Sequence, residues 1–407
     1  MTREHKRIIL SGGWGYGNLG DDAILWASYS LIKQKYPNSN ITILSYNIKE
    51  SCNVIPEGSD VDYQESLHVS MFGFKPHTLK LGEGFISELT KPIKTAYNRH
   101  VYKRIQDSLL RRKVLKNPDT FASKYNTQFD NFHKLCKTAD IYVMSGGGYL
   151  SNWAEMVISK YYEVDIAKKH DLDIYIIGQT IGPYKYKTAR LLAQRILQNV
   201  DCSFFRDAES IRDAKQLGAK CLGHVIPDLV LSTERTLPKE NYIVFIPFLS
   251  DITKNKERIV HNLSSLAEKY NCSVYVTVSQ LWPYGMQIGV SIYLELLAHH
   301  VDACYVIPHD YRELSDVLAS AQMTFSQNLH GLILSYCAHT PVVSLNRRRK
   351  FVSFMESIGH PENILSLNSL STTDFLSRYE KRQMFDFSKL SQFRKEIIDA
   401  INVITEK

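Results

Sequence analysis

IILSGGWGYGNLGDDAIL, residues 8–25, is the stretch from which the fold can be read. A short apolar run at 7–10 leads into five glycines, Gly12, Gly13, Gly15, Gly17 and Gly20. The carboxylates Asp21 and Asp22 follow, and a helical pattern starts at Ala23. Strand, glycine-rich turn and helix in that order aim backbone N–H groups at whatever docks there, most often an anion. Asn18 is suited to cap or brace the turn, and Asp21 to cap the helix. The spacing excludes a P-loop, because no Lys-Ser/Thr follows the last glycine. Gly15-Tyr16-Gly17-Asn18-Leu19-Gly20 fits G-x-G-x-x-G, a match that carries little weight alone. The competing reading is a tight turn that binds nothing.

Outward from this stretch the chain alternates. A helix to about residue 35 and a strand at 41–45 complete a β-α-β unit, the mark of a parallel sheet. Periodicity fades after residue 51, which predicts a loop-rich and basic insertion at about 51–120. IYVMS at 141–145 reads as a buried strand with GGGYL at its C-terminal end, where parallel sheets hold ligands. Helix 155–169, strand 173–178, helix 186–199 and strand 202–205 follow, and the last delivers Arg206 and Asp207. The next helix stops at Gly218, a natural C-cap. After the polar, Pro-containing TERTLPKEN (233–241) a second series runs through strands 242–248, 273–278, 303–307, 323–326 and 341–345. Helices fall at 256–270, 290–300, 311–321 and 329–338, with a last one at 387–404. The expected fold is α/β: two doubly wound Rossmann-like domains, 1–235 and 236–407, facing across a cleft in the GT-B-like manner.

Composition bounds the function. The chain has 407 residues, 44% hydrophobic and 22% charged, enough for two cores and too apolar for disorder. No apolar run is long enough to span a membrane, and the N-terminal apolar stretch is too short for a signal peptide. Seven scattered cysteines without a C-x-x-C suit reduced thiols in a cytoplasmic protein. The net charge of +7 favours anionic substrates or an anionic membrane surface. Residues 91–116 concentrate that charge. Ile93, Tyr97, Val101, Ile105 and Leu109 recur at helical spacing, opposite Lys94, Lys103, Arg111 and Arg112. The segment reads either as a solvated helix face or as a contact with an anionic membrane, peripheral at its inner face, or with a lipid-linked phosphate. Nucleic acid is a poor partner, since the basic residues lack interleaved RNP-type aromatics.

His330 stands out chemically. It follows a strand and opens a helix in SQNLHG, where the dipole disfavours the imidazolium and a neutral ring can move a proton either way. A histidine packed between helix and sheet is the alternative. Arg206, at another strand end, offers a bidentate fork for carboxylate or phosphate, or an ion pair with Asp207 or Glu209. Arg347, Arg348, Arg349 and Lys350 form a basic run after the last strand, read either as anion-binding or as a solvated loop. No zinc, calcium or H-E-x-x-H pattern is present, and no G-x-S-x-G elbow. No metal is therefore expected; capping explains Asp21 and Asp22 more economically.

GYGNLGDDAIL, MSGGGYL (144–150), FFRDAESI (204–211) and QNLHGLILSYCAHTPVVSLNRRRKF (327–351) resemble, in this order and spacing, the signatures of the polysaccharide pyruvyl transferase family. The resemblance implies a ketal-forming transferase. Phosphoenolpyruvate would give its pyruvyl group to two hydroxyls of one sugar, on a cell-surface polysaccharide or its lipid-linked precursor. It implies no cofactor beyond that donor substrate. It assigns proton transfer to His330 and donor contact to Arg206, Asn328, Leu329 and Lys350. Gly17, Asn18, Gly20, Asp21, Gly147 and Gly148 would meet the acceptor from the opposite wall. The chain departs from the family at Asn328, where members commonly have arginine before Leu-His. That departure leaves open a nucleotide-sugar glycosyltransferase of GT-B type, or a non-catalytic carbohydrate-binding relative.

Overall fold

The computed structural model describes residues 5–73, 107–116, 118–248 and 255–404. It divides into two compact units. The first comprises Met1–Tyr16, Ile24–Pro227 and Ile397–Lys407; the second comprises Gly17–Ala23 and Asp228–Glu396.

The first unit holds six parallel strands: β1 (Arg7–Ser11), β2 (Asn40–Ser45), β3 (Val61–Glu65), β4 (Ile141–Met144), β5 (Asp173–Gln179) and β6 (Cys202–Phe205). Their order is β3-β2-β1-β4-β5-β6, the doubly wound order. The inner strands β1, β2 and β4 are almost continuously buried, as a sheet covered by helices on both faces requires. The chain reverses direction across the sheet between β1 and β4, so the switch point lies where the glycine-rich turn and GGGYL leave the strands.

The second unit holds β7 (Tyr242–Ile246), β8 (Ser273–Thr277), β9 (Ala303–Val306), β10 (Met323–Ser326) and β11 (Val342–Ser344), all parallel, in the order β11-β10-β7-β8-β9. Its switch point lies between β7 and β10. The expectation of two doubly wound Rossmann-like units is met.

The structure corrects several expectations. The first helix spans Leu19–Lys35 rather than starting at Ala23, and Asn18 caps it, its Oδ1 accepting from Gly20 N at 3.3 Å. Asp21 and Asp22 lie inside the first turn, where negative charge suits the helix dipole. The 51–120 region is not wholly loop. β3 pairs in register with β2 (Ile43 opposite Tyr63), and Leu67–Phe72 is a helix capped by Ser66. Residues 74–106, including most of the expected basic helix, lie outside the described residues. In the described part, Leu110 and Val114 pack on the core and Leu109 is 52% exposed, so Leu109 is not on the buried face; the other four positions of the expected stripe lie outside the described residues.

The division of the chain also differs from 1–235 and 236–407. Gly17–Ala23 groups with the second unit, because Leu19 N donates to Ser279 O at 3.0 Å and Leu281 N to Gly17 O at 2.8 Å. Ile397–Lys407 groups with the first, where the carbonyls of Ile401 and Ile404 accept from Lys35 Nζ at 3.0 and 2.6 Å. The helix expected at 290–300 starts earlier, as Pro283–Ala298. The basic run is not a plain loop: Arg348 is the N-cap residue and Arg349–Ser357 is a helix.

Candidate active site

In the second unit, four chain segments leave the C-terminal ends of β7, β8, β10 and β11. After β10, Ser326 turns the chain: its Oγ accepts from Asn328 N at 2.9 Å and donates to Asn328 O at 2.8 Å. Asn328 then caps the helix Leu329–Cys337, with Oδ1 accepting from Gly331 N at 3.2 Å. Arginine cannot accept such a bond, which gives the departure at this position a local physical role. His330 is the second residue of that helix and Leu329, nearly buried, the first.

Gly17–Ala23 packs directly on this turn. Asn18 forms a short antiparallel bridge with Gln280 beyond β8, and its Nδ2 donates to Asp21 Oδ2 at 2.7 Å. Gly20 lies flat against the imidazole. A Cβ on Gly20 would stand 2.0 Å from His330 Nδ1 and 2.1 Å from Cγ, so only glycine admits this approach. Asp22 reaches the neighbourhood of Tyr311, whose phenol is pushed up by burial and further by the charges of Asp310 and Asp22, with Arg312 opposing.

Around this core stand Gln327 and Asn346, to which the sequence assigns no role, and the basic run at 347–350, to which it does. Gln327, 1% exposed, accepts from Phe248 N through Oε1 at 2.8 Å, while its Nε2 is buried without a hydrogen-bond partner among the described residues. Asn346 after β11 donates from Nδ2 to Gln327 O at 3.4 Å and accepts from Arg348 N at 3.0 Å. The Arg348 guanidinium lies 5.6 Å from the centroid of the Phe248 ring, and Lys350 Nζ lies 5.6 Å from that of Phe351. Arg347 to Lys350 are exposed and sit at a helix N-terminus, where the dipole disfavours cations. An anion bound there would offset that repulsion. Beside them a pocket of about 80 Å³ is lined by Phe248, Ser279, Gln280, Trp282 and Tyr284.

The first unit carries the other candidates. Arg206 N donates to Gln179 O at 3.0 Å, Nε to Thr180 Oγ1 at 3.1 Å and Nη2 to Gly147 O at 3.1 Å. Asp207 caps the helix Ala208–Gln216 by accepting from Ser210 N, and Glu209 lies 3.8 Å from Arg212. The Tyr149 ring is held against the backbones of Gly13 and Gly147, where an added Cβ would come within 2.5 and 2.3 Å of it. Gly148 is open on the Cβ side. Gly17, Asn18, Gly20 and Asp21 therefore accompany His330, Asn328, Leu329 and Lys350, whereas Gly147 and Gly148 accompany Arg206. The expected grouping of the whole glycine-rich stretch on the side opposite His330 is corrected: the backbone bonds to Ser279 and Leu281 draw its second half to the second unit.

Under the first half of that stretch lies a fully buried ion pair. Lys160 Nζ is 3.0 Å from Glu163 Oε2, donates to Ser11 Oγ at 2.5 Å and reaches Gly12 O at 3.3 Å. Ser11 Oγ and Tyr142 OH both donate to Glu163 Oε2 at 2.6 Å. Three donors converge on Glu163 Oε2, while Oε1 accepts only from Lys160 Nζ at 3.4 Å, and these bonds offset part of the cost of burying the pair. Periodicity gave no signal for it, because the helix Ala154–Lys169 is buried on nearly all sides and has no single apolar face.

Among the described residues no group of three or more His, Cys, Asp or Glu is placed to hold a metal ion, and no helix is long and apolar enough to cross a membrane.

Two doubly wound sheets, each with its switch point at a glycine-rich or histidine-bearing turn, define a GT-B-like fold. The same fold occurs in the UDP-GlcNAc 2-epimerase of Methanocaldococcus jannaschii (TM-score 0.60, 10% identity, 99% of this chain and 100% of that one). It occurs too in the Neisseria meningitidis UDP-GlcNAc 2-epimerase solved with UDP-GlcNAc (TM-score 0.55, 12% identity, 98% of each chain). At the level of sequence the chain belongs to the polysaccharide pyruvyl transferase family, whose model matches residues 18–349. It is also 21% identical to the amylovoran biosynthesis protein AmsJ of Erwinia amylovora, over 91% of each chain. The family is one of transferases acting on polysaccharide.

Proposed function

We propose that the protein transfers the pyruvyl group of phosphoenolpyruvate to two hydroxyls of one sugar in an extracellular polysaccharide or its lipid-linked precursor. One observation carries this reading: the His330 imidazole packs against Gly20, which joins two separate family segments at the switch point of one sheet. Phosphoenolpyruvate is a small polyanion. The first turns of Leu329–Cys337 and Arg349–Ser357, with Arg348 and Lys350, supply N–H donors and positive charge for it. Arg206 is assigned to donor binding on the family resemblance, its guanidinium preset by Thr180 and Gly147.

The reaction adds a proton to the methylene carbon, so that C2 becomes electrophilic. Two sugar hydroxyls bond to C2, each losing a proton, and the C2–O bond to phosphate breaks. Of the two hydroxyl protons, one balances the new methyl group and the other leaves with phosphate. We assign one of these proton transfers to His330, and contact with the acceptor sugar to Asp21, on the family resemblance. The reading is supported further by the AmsJ relative, which is named for amylovoran biosynthesis.

The aromatic pocket at Phe248, Trp282 and Tyr284 favours a second reading, a sugar nucleotide whose base stacks there. Calorimetric titration separates the two. Binding of phosphoenolpyruvate, with phosphate release that falls about 10²–10⁴-fold in His330→Ala at unchanged thermal midpoint, supports the first. Binding of UDP without phosphoenolpyruvate supports the second.

A further inference from the structure

Cys202 opens β6 and is buried; Cys221 lies in an exposed position nineteen residues on. The chain around Cys221 runs parallel to β6: Ser203 pairs with Leu222, Ser203 N donates to Cys221 O at 3.2 Å and Gly223 N to Ser203 O at 2.9 Å. That register makes Cys202 and Cys221 lateral neighbours, at the backbone separation that a cross-strand disulfide needs. Both are free thiols, and their sulfurs lie 2.9 Å apart. The segment they bracket contains Arg206, Asp207 and the whole helix Ala208–Gln216.

We infer that Cys202 and Cys221 form a reversible disulfide that fastens the segment carrying Arg206 when the protein meets a peroxide. The exposed Cys221 thiolate attacks one oxygen of hydrogen peroxide. The O–O bond breaks, Cys221 becomes a sulfenic acid, and the departing hydroxide takes up the thiol proton as water. Cys202 Sγ then attacks Cys221 Sγ. The S–O bond breaks, the S–S bond forms, and hydroxide leaves as a second water with the Cys202 proton. Two thiols lose two electrons in all, and one peroxide becomes two waters. Burial pushes the Cys202 thiol up to about 12, so Cys221 is the thiol that meets the peroxide, and Cys202 gives up its proton only as the hydroxide leaves Cys221 Sγ.

The whole folded protein, treated with hydrogen peroxide and then denatured, should show five titratable thiols in place of seven, and all seven again after dithiothreitol. Peptide mass spectrometry should find 202 joined to 221 with a loss of two hydrogens, and amide exchange across 203–218 should slow in the oxidised form. In Cys202→Ser, dimedone should trap a sulfenic acid at Cys221. Seven thiols remaining in the wild type, a cross-link between any other cysteines, or equal thiol loss in Cys221→Ser would each overturn the inference.

Discussion

Gly20→Ala tests the site where its packing is tightest. The new methyl group would stand 2.0 Å from His330 Nδ1, 2.1 Å from Cγ and 2.5 Å from Cβ, so all three of its nearest neighbours belong to one side chain. Ordinary contact begins at 3.4 Å, and reaching it needs a displacement of about 1.4 Å by the ring or the Asn18–Asp21 turn. The turn is held by the bonds of Leu19 N and Leu281 N, and the ring by the first turn of its helix, so neither yields cheaply. Overpacking of this kind costs about 1–3 kcal/mol, which lowers the thermal midpoint by roughly 2–12 °C for a unit of this size. A reacting group moved by about 1 Å loses on the order of 10²-fold in turnover. Thermal unfolding and phosphate release from phosphoenolpyruvate read the two effects. In a His330→Gly background the clashing atoms are gone, and the same Gly20→Ala change should cost little stability. Wild-type turnover and midpoint in Gly20→Ala, or an equal loss of stability in both backgrounds, would refute the packing argument.

Arg206→Ala should weaken apparent donor affinity at saturating acceptor. Arg206→Lys should not restore it, because an ammonium cannot reach Thr180 Oγ1 and Gly147 O while presenting a fork; unchanged affinity in both places Arg206 outside the donor site. Asn328→Arg sets two effects against each other. A charge-assisted bond to phosphoenolpyruvate is worth about 1.5–3 kcal/mol, and losing the cap on Gly331 N costs about 1 kcal/mol. Tighter binding by calorimetry together with a lower thermal midpoint is expected, and an unchanged midpoint would show the cap to be idle. His68, stacked on Tyr46, is held below the usual histidine range by burial and then by the charge of Lys160. The native state therefore resists the proton that the unfolded chain takes up near pH 6.5, so stability falls as pH drops below 6.5. Thermal midpoints at pH 7.5 and 5.5 should differ less in His68→Phe than in the wild type, and equal differences would remove His68 from the acid sensitivity.

Most strands were legible because they are buried on both faces and read as continuous apolar runs, as in β1, β4 and β7. β3 was not, because VDYQE is an edge strand with polar and partly exposed residues and offers no apolar run. The start of the helix Pro283–Ala298 is not legible because Gly285 and Gly289 argue against a helix; Gly289 lets the Tyr305 ring approach. His330 and Arg206 could be found from their place at strand ends. The sequence did not show that Gly20 and His330 touch, since nothing local encodes a contact spanning most of the chain. The same limit hid the regrouping of Gly17–Ala23, which rests on two backbone bonds to the end of β8. Lys160 and Glu163 are not legible as buried, because charged residues read as surface and a helix buried on nearly all sides has no periodic stripe to contradict that reading.

The most direct test of the central claim uses phosphoenolpyruvate labelled with ¹³C at C2, incubated with the protein and with polysaccharide and glycolipid fractions of the source cell. A new quaternary ketal carbon bonded to two sugar oxygens is expected, with one phosphate released per ketal and loss of both signals in His330→Ala. Failure of the wild-type protein to bind phosphoenolpyruvate or to release phosphate from it, or equal ketal labelling by the wild type and His330→Ala, would contradict this transfer.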